Sequence, residues 1–389
     1  MKKIIAVILI VAGIGFGGFF YLRSSQEIKV EVKTIDKQVQ AMMTVDPAEF
    51  VLRLGRANEQ VQNRKKLVKT FIQQKLMKDG AIITNYLPNE TEENLATGHD
   101  LLSESAGIYL LDLASTDTKG RFDAFYAKTK ETFYTGTQFS YRVTDEGTKY
   151  QVNASLDDLR ILRALIVAKQ AFQTQDYDQE IDLLSKQFLA QSTKSNLLID
   201  FYDEENDQQS QDISLFYLDY KTLGYIYALN GVDAKYLQYQ VNIAKNGYIS
   251  DEFPLYHQRY NYKTQEYQDG DSVNIIESLL TIRYLAEVGE ADPASIAFVK
   301  EHVAKGTLFN SYDLNGNAID KNQSAASYAI AALIGYFIDD DDLYEQSIAI
   351  LENFQNTDPN SVLYGGFGDS STKEVYSYNN LMALLAFSI

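Results

Sequence analysis

The chain contains no cysteine and no tryptophan, and it has only three histidines and five prolines in 389 residues. Without Cys there is no disulfide, thiolate zinc site, iron–sulfur ligation or cysteine nucleophile, nor the acylated Cys of a lipoprotein. Three scattered His argue against a histidine-built metal site, so neither metal nor cofactor is expected. Positive charge is also scarce. Against 53 Asp and Glu stand 35 Lys and Arg, a net charge of −18. Nothing could neutralise a run of phosphates, which excludes nucleic acid as a partner. No phosphate loop, Ser-His-Asp pattern or metal motif is present. What the chain does have is 45% hydrophobic residues, enough to bury a large core, and 28 Tyr. Chemistry is left to carboxylates, hydroxyls and phenols.

Long uncharged runs are absent except at the start. Lys2 and Lys3 precede Ile4–Leu22, which carries no charge, and Arg23 closes the run. Nineteen residues at ~1.5 Å each just span a hydrocarbon core of about 30 Å. No small-x-small cleavage site follows, so residues 1–25 read as a single-pass anchor, with secretion as the alternative. The positive end stays in the cytoplasm, which places the remainder outside the cell. Residues 26–46 read as a polar tether and 47–389 as one domain.

Within that domain, apolar residues at three- and four-residue spacing predict helices near 47–78, 99–113, 119–133, 155–173, 177–191 and 215–229. Six more fall near 233–246, 271–288, 293–305, 324–338, 341–355 and 374–388. Asp46-Pro47, Asp292-Pro293 and Asp339–Asp342 put acids at helix amino ends. Short turns alternate with long loops, and the first helices of successive pairs recur every 53 to 60 residues. Such a period indicates an array of α-hairpins. With the last helix pairing with the first, the expected fold is all-α, an (α/α)6 barrel or toroid. Its inner helices run parallel, so their amino ends and the long loops meet around one cleft.

Three carboxylate groups open those inner helices: Glu104, the pair Asp157 and Asp158, and Asp271. An Asp at a helix start is also a cap, and a first-turn Glu suits the helix dipole, so position alone leaves both readings open. Functionally, glycoside hydrolysis needs two carboxyl groups, one protonated and one ionised.

The residues around them resemble glycoside hydrolase family 8. Ser103-Glu104-Ser105-Ala106-Gly107 is similar to that family's Ser-Glu-Gly-x-Gly segment, and Arg121-Phe122-Asp123 suits the region after it. Asn153-Ala154-Ser155-Leu156-Asp157-Asp158-Leu159 resembles its Ala-Thr-Asp-Ala-Asp-Leu segment, with Asp158 on the second Asp. Gly270-Asp271-Ser272-Val273-Asn274 resembles Tyr-Asp-Ala-x-Arg, and Ser324–Tyr328 and Tyr376–Leu385 resemble the closing helices. The resemblance implies Glu104 as the general acid, Asp271 as the base and Asp158 as the residue holding the distorted sugar. Ser105, Leu156 and Asn274 depart from the family pattern.

With no Trp to stack on sugar rings, Tyr is the substitute, having a flat face and a polar tip. Phe253–Tyr267, just before Asp271, carries Tyr256, Arg259, Tyr260 and Tyr262. Together with Asp157, Tyr217 and Tyr328 these form the expected sugar-binding set, the rival reading being rings packed on the barrel rim. The expected function is an extracellular, membrane-anchored, inverting endo-glycosidase acting on a β-linked polysaccharide, such as an exopolysaccharide made by a neighbouring synthase. The alternative is a glycan-binding barrel that has lost turnover. A polysaccharide lyase or unsaturated-uronyl hydrolase ranks last, because an acidic cleft repels uronates.

Overall fold

In a computed structural model, which describes residues 28, 30–88 and 96–389, thirteen α-helices form. The expected anchor at residues 4–22 lies outside the described residues. Among those that are described, no helix is long and apolar enough to cross a membrane.

Six helices have side chains that are buried around nearly their whole circumference: α3 (Ser103–Thr116), α5 (Ser155–Ala171), α7 (Tyr220–Leu229), α9 (Ile275–Glu287), α11 (Ala325–Phe337) and α13 (Ser377–Ala386). Every residue of α5 from Ser155 to Ala168 is buried, as is every one of α11 from Ala325 to Tyr336. A helix apolar all round belongs inside. Six others bury one stripe only: α2 (Glu59–Phe71), α4 (Lys119–Phe133), α6 (Asp178–Gln191), α8 (Ala234–Asn246), α10 (Pro293–Lys305) and α12 (Asp341–Phe354). On α12 the stripe is Leu343, Tyr344, Ser347, Ile348 and Leu351. The inner helices touch in the order α3, α5, α7, α9, α11, α13 and back to α3, with α2 against α13. The (α/α)6 ring is therefore closed, and α9 stands across it from α3.

Short antiparallel ladders lead into the amino ends of the inner helices. Leu101–Leu102, paired with Arg142–Val143, enters α3, and Val273–Asn274, paired with Ser311–Tyr312, enters α9. A three-stranded ladder of Asp212–Ser214, Arg259–Asn261 and Glu266–Gln268 stands beside them. These ladders explain two shifted boundaries. The helix expected from 271 begins at Ile275, because Val273–Asn274 is paired and Asn274 accepts from the Ile276 N–H. The one expected from 215 begins at Tyr220, where Asp219 accepts from the Thr222 N–H.

The expected helix over 47–78 splits. Asp46 caps a short turn, Pro47–Phe50, and α2 follows after an extended stretch. The tether is corrected as well. From Asp36 onward the segment is docked on the barrel and includes a helix, α1 (Lys37–Met42), that polar composition had concealed. The Asp36 N–H donates to Gln238 at 2.7 Å, and Val39, Met42 and Phe50 are buried. A Cβ on Gly224 would lie 2.9 Å from both Cβ and carbonyl O of Met42, so α7 needs glycine where this strap crosses. Phe50 then lies over Arg163 and Lys221, its ring centroid 5.4 and 5.1 Å away.

Candidate active site

Glu104 lies in the opening turn of α3, its side chain 19% exposed. One guanidinium nitrogen of Arg160, Nη1, stands 3.0 Å from Glu104 Oε1 and 3.0 Å from Asp157 Oδ1. The other Asp157 oxygen accepts from Ser103 Oγ at 2.8 Å. Burial opposes the charge on Arg160, but Glu104 and Asp157 hold it protonated. Burial pushes the Asp157 carboxyl up; Arg160 pulls it down and Glu104 pushes it up again. Gly107 makes this approach possible, because a Cβ there would fall 2.8 Å from Arg160 Cβ.

Phenols enclose the trio. The half-buried Tyr217 is pushed up by burial and by the charges of Asp157, Asp200 and Glu104. Tyr378, on α13, is raised by burial and by Glu104, and its buried hydroxyl has no hydrogen-bond partner. Tyr284, on α9, is raised by burial, with Arg160 opposing.

On the far wall, Glu277 sits in the first turn of α9, 9% exposed and with no hydrogen bond to its carboxylate among the described residues. Burial lifts it to about 7, with Arg259 opposing and Asp200 and Asp269 reinforcing. Asp200 accepts from the Ser214 N–H at 2.6 Å and from its hydroxyl at 2.9 Å, and Arg259 Nε lies 3.8 Å away. Burial lifts Asp200 to about 6. Arg259 pairs with Ser214 in the ladder, so strand register brings it to Asp200.

Glu104, Asp157 and Tyr217 thus come together, and Arg259 joins the opposite carboxylates. Asp271 does not lie in the helix; it is exposed on the loop before Val273, with no ion pair. Asp158 points away from the cleft. It accepts from Asn153 Nδ2 at 2.6 Å and the Phe139 N–H at 3.3 Å, beside a small cavity lined also by Leu162, Leu184 and Phe188. The matched Asp is therefore bonded to Asn153 and the Phe139 backbone, and its neighbour Asp157 shares Arg160 with Glu104.

The tyrosine loop is also corrected. Tyr256, Tyr260 and Tyr262 are 2%, 8% and 3% exposed, leaving no free face for a sugar. Tyr260 packs against Tyr262 and Tyr267, and the Tyr262 hydroxyl donates to the Leu198 carbonyl at 2.8 Å. Tyr328 is fully buried, its hydroxyl bonded to Gln323. Sequence reasoning passed over Arg160, Asp200 and Glu277. Arg160 and Glu277 each lie in the opening turns of an inner helix, Arg160 three residues after Asp157 on a helix that also carries Asp158 and Arg163.

No family model matches the chain. A solved structure, a novel alpha-amylase from Clostridium perfringens, is 31% identical, with a TM-score of 0.77, covering 84% of this chain and 97% of that one. The chain belongs to the glycoside hydrolases. The barrel of this glycoside hydrolase is the family 8 fold. A GH8 xylanase from Teredinibacter turnerae, solved as a catalytic mutant with xylohexaose, has a TM-score of 0.58 at 12% identity, covering 91% of this chain and 95% of that one. YdaJ of Bacillus subtilis, provisionally named a lipoprotein, is 24% identical over 329 residues, 81% of this hydrolase and 84% of that protein.

Proposed function

We propose that this glycoside hydrolase is an inverting endo-glycosidase that cuts a β-linked polysaccharide outside the cell. Glu104 protonates the leaving glycosidic oxygen, and a carboxylate from the α9 side activates water on the opposite face of the sugar. Asp271 is the base that the family resemblance implies; Glu277 is the second carboxyl on that wall. Tyr217 and Arg259 contribute polar contacts to the sugar. The observation that carries this reading is a partly exposed Glu104 in the first turn of α3, with a buried carboxyl, Glu277, in the first turn of α9 across the ring. Inversion needs such a pair about 6.5–9.5 Å apart, leaving room for a water.

The test is an NMR time course on mixed-linkage β-glucan and xylan oligosaccharides. Inversion of a β-linkage releases the α-anomer first; initial release of the β-anomer ends the proposal. Full turnover in Asp271→Asn with loss in Glu277→Gln moves the base to Glu277. The 31% identical alpha-amylase favours a second reading, an α-linked glucan, which amylose in the same experiment tests. If glycans bind and none is cleaved, the barrel is a binding protein.

The uncharged run after Lys2 and Lys3, and the lipoprotein name of YdaJ, support a membrane-attached protein, and such a place would bring it to a glycan made by a synthase at the same surface. Release of the protein by a high-salt wash would contradict attachment.

A further inference from the structure

Arg160 presents a single nitrogen to two carboxylates, 3.0 Å from each, in a gap between α3 and α5 that only a glycine at 107 leaves open. That nitrogen can donate one hydrogen to each, but a single positive charge cannot neutralise two ionised carboxylates. We propose that Asp157, acting through Arg160, is a positioning residue that decides whether Glu104 carries the proton it must donate. This deepens the reading above and rests on Glu104 being the donor.

The groups facing the pair come from every surrounding element. On α3 they are Ser103 and Glu104, and on α5 Asp158 and Arg160; from the turn before α7 comes Tyr217; from α9, Tyr284 and Arg283; from α13, Tyr378. The three phenols are raised by burial and stay neutral, so charge balance falls to two carboxyls and one guanidinium. Two arrangements of a single proton follow. With the proton on Asp157, Arg160 pairs with Glu104, which is ionised and cannot donate. With Asp157 ionised and paired to Arg160, Glu104 retains the proton. Only the second arrangement is competent for turnover. Burial favours a proton on Asp157, Arg160 opposes it and Glu104 favours it, so the groups on either side of Asp157 pull in opposite directions.

The two partners of this arrangement should shift the pH dependence in opposite directions. In Asp157→Asn, Arg160 is left to Glu104 alone, and the high-pH limb of the rate profile should move down by about one pH unit, a tenfold change in proton affinity. In Arg160→Gln the limb should move up, and Arg160→Lys should stay near wild type. A limb unmoved in both, or moved the same way in both, overturns the proposal. A second measurement needs neither substrate nor those variants. The ¹³C-carboxyl shift of Asp157, followed against pH in the full chain, should titrate at least one pH unit lower in Glu104→Gln. An Asp157 titration that ignores Glu104→Gln overturns the coupling. If the wild type cleaves no β-glucan, xylan or amylose, the hydrolase mechanism fails while the carboxyl titration still decides the coupling.

Discussion

Arg160 and Arg163 lie one turn apart on α5 and are both buried, yet they serve different ends of the barrel. Arg163 is fully engaged. Its Nη1 lies 2.9 Å from both Asp219 oxygens and 3.0 Å from Glu287, Nη2 bonds the other Glu287 oxygen, and Phe50 covers the guanidinium. Asp219 also takes the Thr222 N–H and hydroxyl, and Glu287 takes Arg283 at 3.2 Å. Burial opposes ionisation of Glu287, but Arg163 and Arg283 together hold it well below the usual carboxylate range. At the mouth the bonds run short: one Arg160 nitrogen for two carboxylates, a Tyr378 hydroxyl without a partner and a Glu277 carboxyl without a hydrogen bond. Charges whose bonding capacity is filled hold structure together, whereas buried groups with capacity to spare are available to a ligand.

Substitutions at the two ends should have different consequences. The largest effect should come from Glu104→Gln, with turnover reduced by about 10²–10⁴-fold at unchanged denaturation midpoint. A clear loss of stability with intact turnover would erase the distinction between the two ends. Next is Arg163→Ala, which strands Glu287 and Asp219 and should lower unfolding free energy by about 3–5 kcal/mol in urea titrations. Gly224→Ala should follow at about 1–3 kcal/mol, because the new methyl overpacks Met42. Helix propensity alone predicts the reverse sign, a gain of about 1 kcal/mol, so a stabilised variant would mean that the strap is not docked.

A further effect, confined to one pH window, concerns Asp158. Burial lifts its carboxyl to about 8, far above the unfolded value near 4, so the folded chain keeps a proton that the unfolded chain releases. That contribution is complete below about pH 4 and is lost as pH rises to about 8. Chemical denaturation across this window should show a shallower decline in Asp158→Asn than in wild type; equal slopes would place the proton elsewhere.

Much of the ring was legible in the sequence because helices at three- and four-residue apolar spacing are joined by alternating short turns and long loops, with first helices recurring every 53 to 60 residues. Glu104 was legible as a lone acid next to small residues that allow close approach. That Asp157 and not Asp158 shares Arg160 with Glu104 was not legible, because adjacent residues on a helix point about 100° apart and an all-buried helix gives no rotation to choose between them. Tyr256, Tyr260 and Tyr262 misled through their chemistry. A phenol that stacks on sugar serves equally as a core residue with its hydroxyl on a carbonyl, as Tyr262 does with Leu198. The strap escaped because only Val39 and Met42 of its six-residue helix are buried, too short a pattern to register.

Ring closure has a consequence in time. The seam is sealed by residues far apart along the chain: the Ser105 and Ser377 hydroxyls meet at 2.9 Å across 272 residues, and the Val375 N–H reaches Asn85 across 290. Until α13 arrives, the apolar flanks of α3 and α11 have no neighbour, and the wall carrying Glu104 lacks Tyr378. Contacts this distant are slow to form, and the open intermediate exposes surface that favours aggregation. The wall that carries Glu104 is thus completed by residues from the far end of the chain, and the surroundings of the acid depend on a seam between distant segments.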